Sequence, residues 1–220
     1  MPSCNTPDRH PATKSSTGPT HAARWPALPL ALLAAALVLS GCGAVVVGGV
    51  ALGAAAIHDR RPYHVVLDDQ QIELAAAAAF LNDPLINAEA NVSASSYNHS
   101  VLLTGRASSP DAAQRAVNMV SRLAKVKRVI DEIRIAPALG IKRQAEDGYL
   151  TTRAKLAIAS IDLPGFDATR IKVVTDDGVI YLMGLVSPRE ADAAVEQVRY
   201  VPGAQRVVKL FEYISRVQSR

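Results

Sequence analysis

The side chain best placed for covalent chemistry in this 220-residue chain is the thiol of Cys42. It closes Leu39-Ser40-Gly41-Cys42, which follows an almost wholly apolar run over residues 26–39 and a polar stretch ending in Arg24. Small Ser40 and Gly41 leave the backbone open to a protease. The thiol can take a diacylglyceryl group, whose chains hold a polypeptide to a membrane at about 0.8 kcal/mol per buried CH₂. The expectation is an export leader over residues 1–41, a lipidated Cys42, and a tether over residues 42–66. The apolar run is too short to span a bilayer comfortably. It resumes over residues 43–57, but Gly48, Gly49 and Gly53 make that stretch a poor packed helix. Cys4 falls in the leader, so the two cysteines make neither a disulfide framework nor a four-thiolate zinc site.

Other reactive groups are sparse. Asp68-Asp69 and Asp176-Asp177 are paired carboxylates, but one pair sits at an expected helix start and the other in an expected hairpin turn. Past the leader only His58, His64 and His99 remain, with no Ser/His/Asp arrangement, no metal-ligand spacing and no phosphate-cradling loop. The reading is therefore non-enzymatic, with no cofactor. His58, Asp59, Arg60, Arg61 and His64 form a charged knot, read as a solvated segment beside the membrane. Arg122, Lys125, Lys127 and Arg128 are read as a solvated basic face. The net charge of +4 falls to +2 without residues 1–41, too little to argue for nucleic-acid binding. Aromatics are only 5%, so alanine, valine and leucine must build the core.

These groups need a scaffold, and the chain writes one pattern twice. Residues 71–81 are alanine-rich and helical, stopped by Asn82-Asp83-Pro84. Strands follow at 90–96 and 101–105, then a helix capped by Ser109-Pro110, then a strand at 128–136. The second copy predicts a helix over 149–161, strands at 170–175 and 179–185 about an Asp177-Gly178 hairpin, a helix opened by Ser187-Pro188-Arg189-Glu190, and a strand at 206–214. Gly105 and Gly184, and Val129 and Val207, fall 79 and 78 residues apart, which marks a duplication. The domains are expected at 67–136 and 148–217, with a linker over 137–147. The fold class is α+β, each αββαβ copy a three-stranded mixed sheet with two helices on one face.

Val101-Leu-Leu-Thr-Gly105, Gly203-Ala-Gln-Arg-Val207 and, above all, the segment Val179-Ile-Tyr-Leu-Met-Gly-Leu-Val-Ser-Pro-Arg-Glu-Ala191 resemble the BON domain (bacterial osmotically induced and nodulation). Two such domains behind Leu-Ser-Gly-Cys42 resemble the dual-BON outer-membrane lipoproteins. Gly43 follows the cysteine where an inner-membrane retention signal would place aspartate, which by the same likeness implies the outer membrane, facing the periplasm. The resemblance implies binding of anionic phospholipid, phosphatidylglycerol-like, mainly through the second domain, with support of envelope integrity and association with division sites. The first copy departs from the family by carrying Lys125 where the second has its turn glycine, Gly203. Tyr149 stands where the family carries tryptophan.

On the helix over 149–161, Leu150, Ala154, Ala157, Ile158 and Ile161 share one face, assigned to the core. Tyr149, Thr152, Arg153 and Leu156 share another, mixing an aromatic, a cation and an apolar side chain, with Lys155 adjacent. From the residues alone that face suits either an anionic headgroup or the cover of the strand end at 184–186. The resemblance implies lipid contact there, with Gly184, Leu185 and Phe211 beside it on neighbouring strands. The alternative is a periplasmic adaptor that docks envelope-assembly proteins, with only Cys42 touching the membrane.

Overall fold

In the computed structural model residues 59–214 are described. The expected leader 1–41, the expected acylation site Cys42 and the expected tether as far as His58 lie outside the described residues. No helix among the described residues is long and apolar enough to cross a membrane.

The first copy opens with α1 (Tyr63–Asn82), which starts a full two turns before the alanine-rich run. Asp68 and Asp69 therefore lie within the helix rather than at its start. Asn82-Asp83-Pro84 does not stop the helix outright. Asp83 accepts the Leu85 and Ile86 amides and Pro84 takes the first helical position, so the chain pivots into the short α2 (Pro84–Glu89). Then come β1 (Ala90–Tyr97), β2 (Ser100–Ala107) and α3 (Pro110–Ser121), the last capped by Ser109 through the Ala112 amide. The expected closing strand is split into β3 (Arg128–Asp131) and β4 (Arg134–Ile135), because Asp131 bends back to accept the Ile133 amide at 2.9 Å.

The second copy runs α4 (Ile141–Ala159), a 3₁₀ turn at Ala168–Arg170, β5 (Ile171–Asp176), β6 (Val179–Val186), α5 (Pro188–Val198) and β7 (Arg206–Tyr213). Helix α4 begins eight residues before Tyr149, so most of the expected linker 137–147 is helical. The reason is Asp147, buried on the inner face of that extra length, which accepts the amides of Asp177 at 2.7 Å and Gly178 at 2.8 Å. The first copy repeats this clamp, since buried Asp69 accepts the amides of Asn98 and His99, each at 2.8 Å. In each domain an inward aspartate thus ties the opening helix to the hairpin of its own sheet.

Each sheet pairs its first two strands antiparallel and its last in parallel, with the middle strand second in chain order. One face of each lies beneath its helices. Ile72, Ala76, Val101, Leu103, Ala116 and Val120 fill the first core, and Leu150, Ala154, Ile158, Ile180, Leu182 and Val198 fill the second. The opposite faces pack on each other, with Tyr97 and Leu102 of the first sheet against Val179, Tyr181 and Met183 of the second. Helices therefore form the outer layers and two sheets the inner ones. Tyr97 locks the seam further by donating its hydroxyl to the Arg170 carbonyl at 3.0 Å and accepting the Leu185 amide at 3.2 Å.

Candidate lipid-contact surface

The Asp147 clamp sets the rotation of α4. With Asp147 inward, Leu150, Ala154 and Ile158 follow one, two and three turns later, each at most 5% exposed. Ala157 and Ile161 pack against the same core. The rest of the helix must then face out, and Tyr149 and Leu156 are 65% and 66% exposed. Neither covers the strand end at 184–186. Arg153 is half-buried, its guanidinium 5.6 Å from the Tyr149 ring centre. Thr152 is exposed, with its hydroxyl donated to the Gly148 carbonyl at 3.1 Å.

Helix α5 adds what the sequence reading left out. Val198 and Val201 point into the core, which turns Tyr200 outward to 66% exposure. Arg199 lies 4.8 Å from the Tyr200 ring and pairs with Glu196 at 3.1 Å. Between the two helices runs an open groove of about 390 Å³ lined by Arg153, Leu156, Tyr200 and Pro202. The signal for Tyr200 was present, since an aromatic two residues after an inward valine, just before Pro202-Gly203, has nowhere to go but out. Three large apolar side chains and the cations Arg153, Lys155 and Arg199 thus share the helical side of the second domain.

The other three expected residues are not brought to this surface. Leu185 lies on the opposite face of the sheet, in the seam with Tyr97 and Tyr181. Gly184 is buried, and a side chain there would meet the Arg170 carbonyl at 2.8 Å, so its glycine serves close strand approach. Phe211 pairs with Gly184 across β6 and β7 and packs in the core beneath the helices. Helix α4 runs antiparallel to β5, with Asp147 at the hairpin end. Tyr149 and the Gly184–Phe211 pair therefore sit at opposite ends of the sheet.

Charged residues near the chain entry lock the domains rather than standing in solvent. Arg60 makes a bidentate pair with Glu190, at 2.7 and 2.9 Å, and also donates to the Leu185 carbonyl. Glu190 is the capping-box residue of α5. Burial alone would raise its carboxyl, but Arg60, the Ser187 amide and the Ser187 hydroxyl outweigh that and hold it down to about 2. Arg61 stacks 3.7 Å over the Tyr97 ring and pairs with Asp59 and Asp69, each at 2.7 Å. The expected solvated knot is thus a strap across the seam, with only His64 of its described members exposed. In the basic stretch, Arg122, Lys127 and Arg128 are exposed, and Lys125 reaches Asp68 at 2.5 Å. Among the described residues no group of three or more His, Cys, Asp or Glu gathers to hold a metal.

Two stretches of the chain, residues 68–137 and 147–215, match the BON domain profile. The chain belongs to the BON domain family. It is 32% identical over 184 residues to the outer membrane lipoprotein DolP of Haemophilus influenzae, covering 83% of this chain and 94% of that one. It is 31% identical to the 21 kDa hemolysin of Actinobacillus pleuropneumoniae, over 71% and 79% of the two chains. Both copies carry the BON pattern and the likeness to an outer membrane lipoprotein runs nearly end to end, so the dual-BON resemblance holds, as does the α+β class of tandem mixed sheets. The C-terminal domain of CdsD, a structural protein of the type III secretion system of Chlamydia trachomatis, aligns over 67% of each chain at 10% identity and a TM-score of 0.26, too loose a likeness to carry weight.

Proposed function

We propose that this BON-domain lipoprotein is a non-enzymatic protein of the outer membrane, held by acyl chains on Cys42 and facing the periplasm, whose second domain binds anionic phospholipid. Support of envelope integrity, with a place at division sites, follows from the same reading. The observation that carries it is the shared exposure of Tyr149, Leu156 and Tyr200 beside Arg153, Lys155 and Arg199. Apolar rings and a leucine can enter the upper acyl region while guanidinium and ammonium groups meet phosphate, and aromatic side chains with polar tips favour that depth. The likeness to an outer membrane lipoprotein supports the location.

The test is co-sedimentation of the mature chain with phosphatidylglycerol or phosphatidylcholine vesicles. Phosphatidylglycerol should bind at least tenfold more tightly, and Tyr149→Glu should remove about that factor, roughly 1.4 kcal/mol. Leu74→Glu, at a 72% exposed position on α1 of the first domain, should change nothing. Equal binding of both lipids, or a Tyr149→Glu protein that binds as well as the parent, would turn the reading toward a protein adaptor.

A further inference from the structure

Strand β1 pairs with β2 on one side and with no described strand on the other, so one row of its backbone groups faces outward. Ser96 shows which residues make up that row: its amide donates to Glu73 at 2.7 Å and its carbonyl accepts from Lys172 at 3.2 Å. Alternate residues of an antiparallel pair turn away from their partner, so Ala94, Val92 and Ala90 present their backbone groups to the same edge. Glu73 and Lys172, paired with each other, plug this edge at the Tyr97 end. Helix α2 closes the other end, where the Ala90 amide donates to the Ile86 carbonyl. Between these two stops, the Val92 and Ala94 amides and the carbonyls of Ala90, Val92 and Ala94 meet no hydrogen-bond partner among the described residues.

The start of this open stretch lies in a surface groove of about 690 Å³. Ala77, Phe80 and Leu81 of α1 line it beside Val92, and Ala136 and Ala138 line it past the end of the sheet. Leu81 is 71% exposed, so the groove carries a large apolar side chain without cover. The two charged residues in its lining are engaged elsewhere, Arg106 with Asp177 and Glu89 with the Ser109 hydroxyl, each at 2.6 Å. Residues 74–82 and 90–98 carry no charge at all. Free edges are normally guarded by charge, proline or a covering element, and here the charged guard stands at one end only. An added strand would find free amides and carbonyls, an apolar flank and no opposing charge.

We propose that the occupant is the same stretch of a second copy, so that two chains pair antiparallel along β1 about a two-fold axis at Val92. The open groups are symmetric about that residue. Each Val92 exchanges both backbone bonds with its counterpart, each Ala94 amide donates to the other copy's Ala90 carbonyl, and Leu81 of each copy covers the junction. A longer foreign strand would run into the Ser96 plug or into α2. The axis stands across the sheets, so both copies turn their α4–α5 surfaces the same way. Two chains held in one membrane can therefore pair without lifting either from the lipid, a consequence that rests on the lipid reading above, whereas the pairing itself uses none of Tyr149, Leu156 or Tyr200.

The test is sedimentation equilibrium of the mature chain in density-matched neutral detergent micelles, where a concentration-dependent balance of one and two chains is expected. Ala94→Pro removes an outward donor and no β1–β2 bond, so the fold should survive while the dimer weakens about tenfold or more. Leu81→Glu, at an exposed position, should do the same. Gln114→Glu, on the exposed side of α3, should leave the dimer as it was. In isolated membranes, oxidised Val92→Cys protein should give a disulfide-linked product of twice the chain mass, since Cα atoms of a bonded antiparallel pair lie about 5.5 Å apart. Tyr149→Glu should keep the dimer while losing vesicle binding, so either reading can fail without the other. A single-chain mass at every concentration would overturn the proposal. So would Ala94→Pro and Leu81→Glu proteins that pair as the parent does, or a Val92→Cys product joined to a different protein, which would make the edge a dock for a foreign strand.

Discussion

Where the last helix of each domain turns into its closing strand, the second domain has Gly203 at φ +100° and the first has Lys125 at φ +71°. The backbone path is the same; only the residue asked to follow it differs. At the hairpin the pair is Gly178 at φ +75° and His99 at φ +67°. At the third position of the capped helix it is Glu190, which completes a capping box, and Ala112, which cannot. The last strand is continuous in one copy and broken in the other. The second copy thus keeps the residues its geometry favours, while the first holds the same fold against local strain. A duplicated fold tolerates this because each strained turn is anchored elsewhere: the His99 amide by Asp69, and the Lys125 side chain by Asp68.

The aspartate clamps are the sharpest place to break the comparison. Asp147→Ala strands two hairpin amides, and should cost about 3 kcal/mol or more in urea unfolding at neutral pH. Asp69→Ala should cost more still, because Asp69 also accepts the Ser96 hydroxyl at 2.6 Å and pairs with Arg61. Equal losses would mean that the strap adds nothing to the first domain.

The next effect belongs to the second copy alone. Glu190 is held at about 2 against an ordinary 4.5. A carboxyl lowered by folding stabilises the folded state above its unfolded value. That stability, on the order of 2–3 kcal/mol, is complete above about pH 5 and drains away as the pH falls toward 2. Arg60→Met should shrink this acid dependence, measured as unfolding free energy at pH 6 and pH 3, because it removes the bidentate partner.

The smallest effect sharpens the turn itself. Lys125→Gly should raise stability by up to about 1 kcal/mol by relieving the left-handed backbone, and Gly203→Lys should lower it by at least as much.

Much of this fold was legible because its signals are local. Ser109-Pro110 and Ser187-Pro188 start helices where they should, and Asp177-Gly178 turns its hairpin. The inward face of α4 follows from spacing alone. The early starts of α1 and α4 were not legible, because they rest on Asp69 and Asp147 reaching amides about 30 residues away. The outward turn of Tyr200 was legible from its spacing to Val198, but its place beside Arg153 and Leu156 was not, since that depends on how α5 lies against α4. Leu185 was misplaced for a related reason: period-two alternation names two faces of a strand, but not which one meets a second sheet. Arg60 and Arg61 read as solvated because charge in a short stretch usually is; the partner of Arg60, Glu190, lies in the other domain, and that of Arg61, Asp69, faces inward only because α1 starts early.

The back-to-back arrangement of the sheets carries a cost in time. As the polypeptide emerges, the earlier module finishes with Tyr97 and Leu102 on a bare flank, and what will cover them has yet to be made. Until its sibling arrives that flank is sticky, open to any stray strand or neighbouring copy. A protein assembled this way is safest when its halves are delivered together, and a truncated half should be prone to clump rather than to float free.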